Sequence, residues 1–296
     1  MNRRHFLKTT ALTAAAFGSF PPLLVAAPAS PRNKLIGFTK PFDTLSPEET
    51  ADMVSFAGWD GVELGVRSKS GHVKPERVED DLPKMADALK KAGKEITIAT
   101  TEITSVNPLN ERVLRSIAKL GIGIFRLGFF KYDKTTPIPK QLAEIRARLK
   151  DIDAMAREVG VRAGFQNHSG ADYVGAGIWD TWSLINDLSS TGFCFDIGHA
   201  TIEGGLSWPN DARLARPHFA AVYAKDFIWQ KTNGQWKEQW VHFGEGMVNR
   251  SFFKWLRESG YTGPVCQHHE YDHGKGDVLR QNLKRDADVL RTWLNG

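Results

Sequence analysis

Val159-Gly160-Val161-Arg162-Ala163-Gly164-Phe165-Gln166-Asn167-His168 is the stretch on which the fold turns. An amphipathic segment near 137–159 runs into Gly160, and a glycine just past a helix end adopts the left-handed conformation that stops the helix. A short apolar run follows to Phe165 and ends in three polar side chains. The same order of events recurs at Ala57-Gly58-Trp59, Ala92-Gly93-Lys94, Leu120-Gly121-Ile122, Thr191-Gly192-Phe193 and Ser259-Gly260-Tyr261. The glycines at 58, 93, 121, 160 and 192 stand roughly 28–39 residues apart, and the step from 192 to 260 holds two such units.

A repeated unit of that size, helix then strand, means parallel strands with helical crossovers. Strands are expected near 34–38, 60–64, 95–101, 124–129, 161–166, 192–196, 219–224 and 264–270. Helices are expected near 46–57, 79–92, 109–120, 137–159, 179–188, 209–216, 250–258 and 277–294. Ser46-Pro47-Glu48-Glu49 supports the first helix start, with a capping serine and proline in the first turn. Eight units fit a single α/β domain, a (β/α)8 TIM barrel over residues 31–296. A doubly wound open sheet is the runner-up, but Gly37-Phe38-Thr39-Lys40-Pro41 lacks the glycines of a phosphate loop.

The composition of the 296 residues, 41% hydrophobic and 25% charged, excludes collagen-like, coiled-coil and wholly disordered chains. Residues 1–30 read as a targeting segment. Arg3-Arg4-His5-Phe6-Leu7-Lys8 precedes a modestly apolar stretch, then small residues through Ala29. The pattern resembles a twin-arginine leader, which implies the twin-arginine export machinery as partner, a periplasmic location and cleavage after Ala27 or Ala29. Arg3, Arg4 and Lys8 supply three of the five net positive charges. The remaining +2 is no field for nucleic acid. No stable membrane anchor is expected beyond the leader, and a homodimer is left open. Cys194 and Cys266 lie inside apolar runs and read as isolated buried thiols.

Ionisable residues gather where the expected strands end: Glu63, Glu102, Arg126, Gln166-Asn167-His168, Asp196 and His199, Lys225-Asp226, and His268-His269-Glu270. In a barrel the carboxyl ends of the strands form the reactive face. His268 and His269 alternate faces, so at most one points inward; His268 is expected below Glu270 and His269 toward the helices. His72 is a weak candidate for a lid. Trp229, Trp236 and Trp240 follow the seventh strand, either stacking on a sugar or forming a hairpin with its own small core.

Together, Gly58-Trp59-Asp60-Gly61-Val62-Glu63-Leu64, Phe195-Asp196-Ile197-Gly198-His199-Ala200, Lys225-Asp226, Gly244-Glu245-Gly246 and His268-His269-Glu270 resemble the xylose-isomerase-like barrels. These are sugar phosphate isomerases and epimerases, and the likeness covers nearly everything after residue 34. It implies one divalent metal (Mn, Mg, Co or Zn) held by Glu, Asp, His and Glu from strands five to eight. Asp196 and Glu270 match. Gln166 replaces the first Glu and Tyr223 the His, so Gln166 and His199, with His168 as the alternative histidine, are expected to complete the shell. Glu270 and His168 are the catalytic candidates, and Glu63, Arg126, Lys225 and Asn167 the substrate contacts.

The expected activity is abstraction of a proton next to a carbonyl of a small carbohydrate, with the ion stabilising the enediolate. Reprotonation gives isomerisation or epimerisation; loss of a β-substituent gives a lyase or dehydratase. A non-catalytic sugar-binding barrel is a further alternative. An apurinic-site endonuclease is less favoured, because it needs a histidine-rich metal cluster and a basic face.

Overall fold

A computed structural model describes residues 33–296; the expected leader lies outside them. Eight parallel strands close into a barrel: β1 (Leu35–Phe38), β2 (Gly61–Gly65), β3 (Glu95–Thr100), β4 (Ile124–Arg126), β5 (Arg162–Gln166), β6 (Thr191–Asp196), β7 (Phe219–Ala224) and, after an antiparallel hairpin, β10 (Val265–Gln267). The hairpin is β8 (Asp226–Thr232) with β9 (Gln235–Val241). Most barrel strands are buried along their whole length, as parallel strands wrapped by helices must be. The expected (β/α)8 architecture is the observed one.

The outer ring is α1 (Pro47–Ala57), α2 (Val78–Lys91), α3 (Pro108–Lys119), α4 (Ile138–Val159), α5 (Trp179–Ile185), α6 (Ile197–Gly204), α7 (Trp208–Ala215), α8 (Ser251–Glu258) and α9 (Gly276–Asn295). Ser46 closes a capping box with Glu49 at the start of α1, and Gly160 ends α4 at φ 76°. Gly192 is a correction. It lies within β6, where a Cβ would fall 2.2 Å from the His218 carbonyl oxygen, so close backbone approach rather than helix termination requires it. The second correction is α6, which the sequence reading did not foresee. It starts directly at the end of β6, capped by the Asp196 side chain accepting from the His199 N–H. Its eight residues are too short, and glycine-broken, to show a helical period.

One apolar layer lies between barrel and helices, from Trp59 and Leu64 to Phe252 and Leu290. A smaller one fills the barrel itself: Ile36, Phe38, Ile98, Cys194, Ala221, Tyr223 and Cys266. No helix among the described residues is long and apolar enough to cross a membrane.

The hairpin is fastened at its base by Asp226. Its two carboxylate oxygens accept from the N–H groups of Gly244, Gly246, Val248 and Phe227 at 2.9–3.0 Å. A Cβ on Gly246 would meet Asp226 Oδ1 and the Phe227 carbonyl oxygen at 2.3 Å. That is the physical content of the Lys225-Asp226 and Gly244-Glu245-Gly246 motifs.

Candidate active site

The carboxyl ends of the strands open onto a cavity of about 280 Å³. Every barrel strand except β3 contributes to its lining at or just beyond its end. The walls are Phe38, Phe129 and Trp240; the polar lining is Lys40, Arg67, Arg126, Gln166, His168, Ser169, His199, Lys225, Glu238 and Glu270. Trp240 comes from β9 and lies with its ring centroid 4.6 Å from Lys225 Nζ, a cation–π contact. Trp229 and Trp236 are exposed on the outer part of the hairpin, so only Trp240 of the three reaches the cavity.

The centre of the site is the Lys225 ammonium. Nζ lies 3.2 Å from Asp196 Oδ2, 2.7 Å from His199 Nε2 and 3.8 Å from Glu270 Oε1. Asp196 is fully buried, with Oδ2 also accepting from Gln166 Nε2 at 2.9 Å and Oδ1 from the His199 N–H at 3.1 Å. Gln166 in turn accepts through Oε1 from Arg126. This fixes the orientation of its amide, since a flip would set an NH2 against the guanidinium.

An ammonium can only donate, so His199 Nε2 is the acceptor and its ring proton sits on Nδ1, 2.8 Å from Ser169 Oγ. Burial first, then the neighbouring Lys225 charge, hold His199 well below its usual 6.5. The same two causes, burial first and then the Lys225 charge, lower the pKa of His168. Its Nδ1 lies 2.9 Å from the Ser169 carbonyl oxygen, which can only accept, so Nε2 keeps its lone pair. The ring is held between Tyr173 and His199, at centroid distances of 4.2 and 3.9 Å.

Glu270 is the acidic group that β10 sends to the cavity. Burial opposes its ionisation, but Lys225 and Lys40 outweigh this and hold the carboxyl at about 2. Lys40 Nζ is 2.9 Å from its other oxygen.

Two expected substrate contacts do not line the cavity. Glu63 is fully buried beneath the floor. It accepts from Thr100 and Tyr223 on one oxygen, from His268 at 3.0 Å and Cys266 at 3.2 Å on the other, and faces Arg126 at 3.7 Å. Burial opposes its charge too, yet His268, Arg126 and Thr100 bring its carboxyl down to about 2. Asn167 is a clip between strands: its amide donates to the Asp196 carbonyl oxygen at 2.9 Å and accepts from the Asp196 N–H at 2.8 Å. A residue's place at a strand end does not tell whether its side chain stands on the floor or below it. His72 braces the β1 and α1 segments, between Thr39 and Thr50, rather than forming a lid. His268 points into the barrel, stacked on Tyr223 at 4.2 Å, while His269 lies outward by Trp59 and Asp286.

Lys40 and Arg67 were missed by the sequence reading. They follow β1 and β2 by two residues each, and extending the strand-end rule that far would have found them.

Asp196, Glu270 and His199 do converge, but on the ammonium of Lys225. Gln166 offers Asp196 an N–H while its carbonyl oxygen is bonded to Arg126, and Tyr223 lies below the floor against Glu63. As arranged, this donor set does not fit a divalent ion. Glu63, Cys266 and His268 also bring ligand atoms within 4.8 Å of one another. That carboxylate, however, already accepts four hydrogen bonds and faces Arg126.

A closed eight-stranded barrel with a polar, aromatic-walled cavity at its carboxyl ends defines the class. Residues 51–293 match the profile of the xylose isomerase-like TIM barrel family, and the chain belongs to it. Solved structures of the same fold include the 3-keto-D-glucoside 4-epimerase YcjR of E. coli, at TM-score 0.68 and 16% identity, covering 88% of this chain and 100% of that one. The probable 3-DHS dehydratase AsbF of Bacillus anthracis follows at 0.67 and 15%, covering 87% and 98%. A xylose isomerase-like TIM barrel protein from Mycobacterium smegmatis, in complex with magnesium, gives 0.63 and 16%, covering 88% and 97%. No curated protein matches the sequence.

Proposed function

We propose that this chain is a sugar isomerase- or epimerase-like enzyme that removes a proton next to the carbonyl of a small keto-sugar. The observation that carries the reading is His168, whose Nδ1 meets the Ser169 carbonyl oxygen and whose Nε2 has no hydrogen-bond partner among the described residues, in a cavity whose lining holds four cationic and two acidic side chains. His168 takes the proton. The C–H pair becomes a C=C bond and the carbonyl pair moves onto oxygen, where the cationic lining stabilises the charge. Glu270 is the poorer base, because both its oxygens face lysine ammonium groups. The cavity suits a monosaccharide, with Phe129 and Trp240 as faces for its C–H surfaces.

What becomes of the enediolate sets the outcome: return of the proton gives isomerisation or epimerisation, and loss of a β-substituent a lyase. Gln166 in place of a second carboxylate base supports the one-base routes. The solved structures named above include both an epimerase and a dehydratase, which is consistent with either.

The test is deuterium exchange followed by NMR, with free ketohexoses and 3-keto-glucosides in D2O. Wild type exchanges the proton adjacent to the carbonyl, and His168→Gln slows this by about 10²–10⁴-fold. Sugar binding with no exchange in any substrate rejects the enzyme reading in favour of a binding barrel.

A further inference from the structure

We propose that the Lys225 ammonium occupies the place where metal-using barrels of this kind hold their divalent ion, and serves as this chain's built-in cation. The acidic groups expected to ligate a metal, Asp196 and Glu270, stand on either side of Nζ at 3.2 and 3.8 Å, and His199 turns the lone pair of Nε2 to it at 2.7 Å.

Three further observations agree. The Asp196 oxygen that meets Lys225 also accepts from the Gln166 amide, so an ion bound there would face two sets of N–H groups. Gln166 cannot turn its oxygen inward without setting its NH2 against Arg126. Among the four groups at this point charge is also already balanced, Lys225 and Lys40 matching Asp196 and Glu270, so an added divalent ion would leave a local excess of two positive charges. The two departures from the expected ligand set are both turned away from an ion: Gln166 gives its oxygen to Arg126, and Tyr223 bonds to Glu63 below the floor. Each removes a metal donor, and Lys225 supplies the charge.

The geometry also leaves a proton donor for a ligand. An ammonium carries three N–H bonds. Asp196 and His199 take two, while Glu270 at 3.8 Å is beyond hydrogen-bond reach of the third. That bond is free for a substrate oxygen, and there it would hold the enolate oxygen formed when the proton leaves the adjacent carbon. This last role rests on the proposed function; the replacement of the ion does not.

The test is a Mn²⁺ titration of the purified full chain, with free Mn²⁺ read by electron paramagnetic resonance and total metal by mass spectrometry. Wild type should carry no stoichiometric metal and show no saturable Mn²⁺ binding below about 1 mM. Lys225→Ala combined with Gln166→Glu should gain one saturable site at least about tenfold tighter. A wild type that holds one equivalent, lost in Asp196→Asn, overturns the proposal. So does a Lys225→Ala/Gln166→Glu variant that unfolds cooperatively, and is therefore folded, yet gains no site. Should that variant not fold, the wild-type titration decides alone. The same preparation treated with chelator and assayed for deuterium exchange separates the two claims. Absence of exchange with every sugar rejects the proposed activity, while the metal titration still judges Lys225.

Discussion

Replacing Glu63 with glutamine keeps the side chain's shape and removes one buried negative charge. The structure gives the size of the loss. The carboxyl is brought from its ordinary 4.5 to about 2, against the opposing effect of burial, by His268, Arg126 and Thr100. At about 1.4 kcal/mol per pH unit that is roughly 3 kcal/mol of folding stability at neutral pH. Taking one partner out of a buried ion pair costs about 3–5 kcal/mol, in agreement. The amide of Glu63→Gln would also set an NH2 among four donors.

Urea unfolding should show the midpoint falling by about 1 M or more, taking m near 3 kcal/mol/M. The pH dependence checks the sign. A lowered carboxylate stabilises above its unfolded value and loses that effect as pH falls through the folded one. The gap between wild type and variant should therefore be full at pH 6–7 and shrink between 4.5 and about 2. Equal midpoints at pH 7, or a gap that widens in acid, would show that the buried charge does not stabilise the barrel.

Asn167→Ala removes both hydrogen bonds that join the end of β5 to the Asp196 backbone; urea unfolding should show a loss of about 1–3 kcal/mol. Trp240→Ala should weaken sugar binding by about tenfold or more in calorimetry, since the ring walls the cavity over Lys225, whereas exposed Trp236→Ala should leave it unchanged. We further propose that residues 1–30 act as a twin-arginine leader: Arg3→Lys with Arg4→Lys should then keep the protein in the cytoplasm, and cell fractionation that still finds it exported would remove that assignment.

The architecture was legible because the signals for it are local. A serine that caps α1, a glycine that stops α4 and the apolar run that follows that glycine each report their own segment. Thus β5 was expected at 161–166 and spans Arg162–Gln166, and α4 was expected at 137–159 and spans Ile138–Val159. The site was legible only as a set. Asp196, Glu270, His168, His199, Lys225 and Arg126 do meet around one cavity or its floor, but sequence position carries no depth. Glu63 and Asn167 sit at the same kind of position as Lys225, yet one is sealed under the floor and the other bonds to backbone. Nor does the sequence say which way a long side chain turns: Lys225 reads equally as a substrate contact or as half of a buried ion pair, and its ammonium turns back to Asp196.

One peptide bond joins Lys225 to Asp226, and the two side chains answer to different neighbours. The first bonds to Asp196 and His199; the second grips the loop on which the hairpin returns to the barrel. Roof and charge thus share a hinge pin. Grafting a hairpin from another barrel onto this one would have to preserve Asp226 and the glycine at 246, or the ammonium beneath Trp240 would lose its bearing.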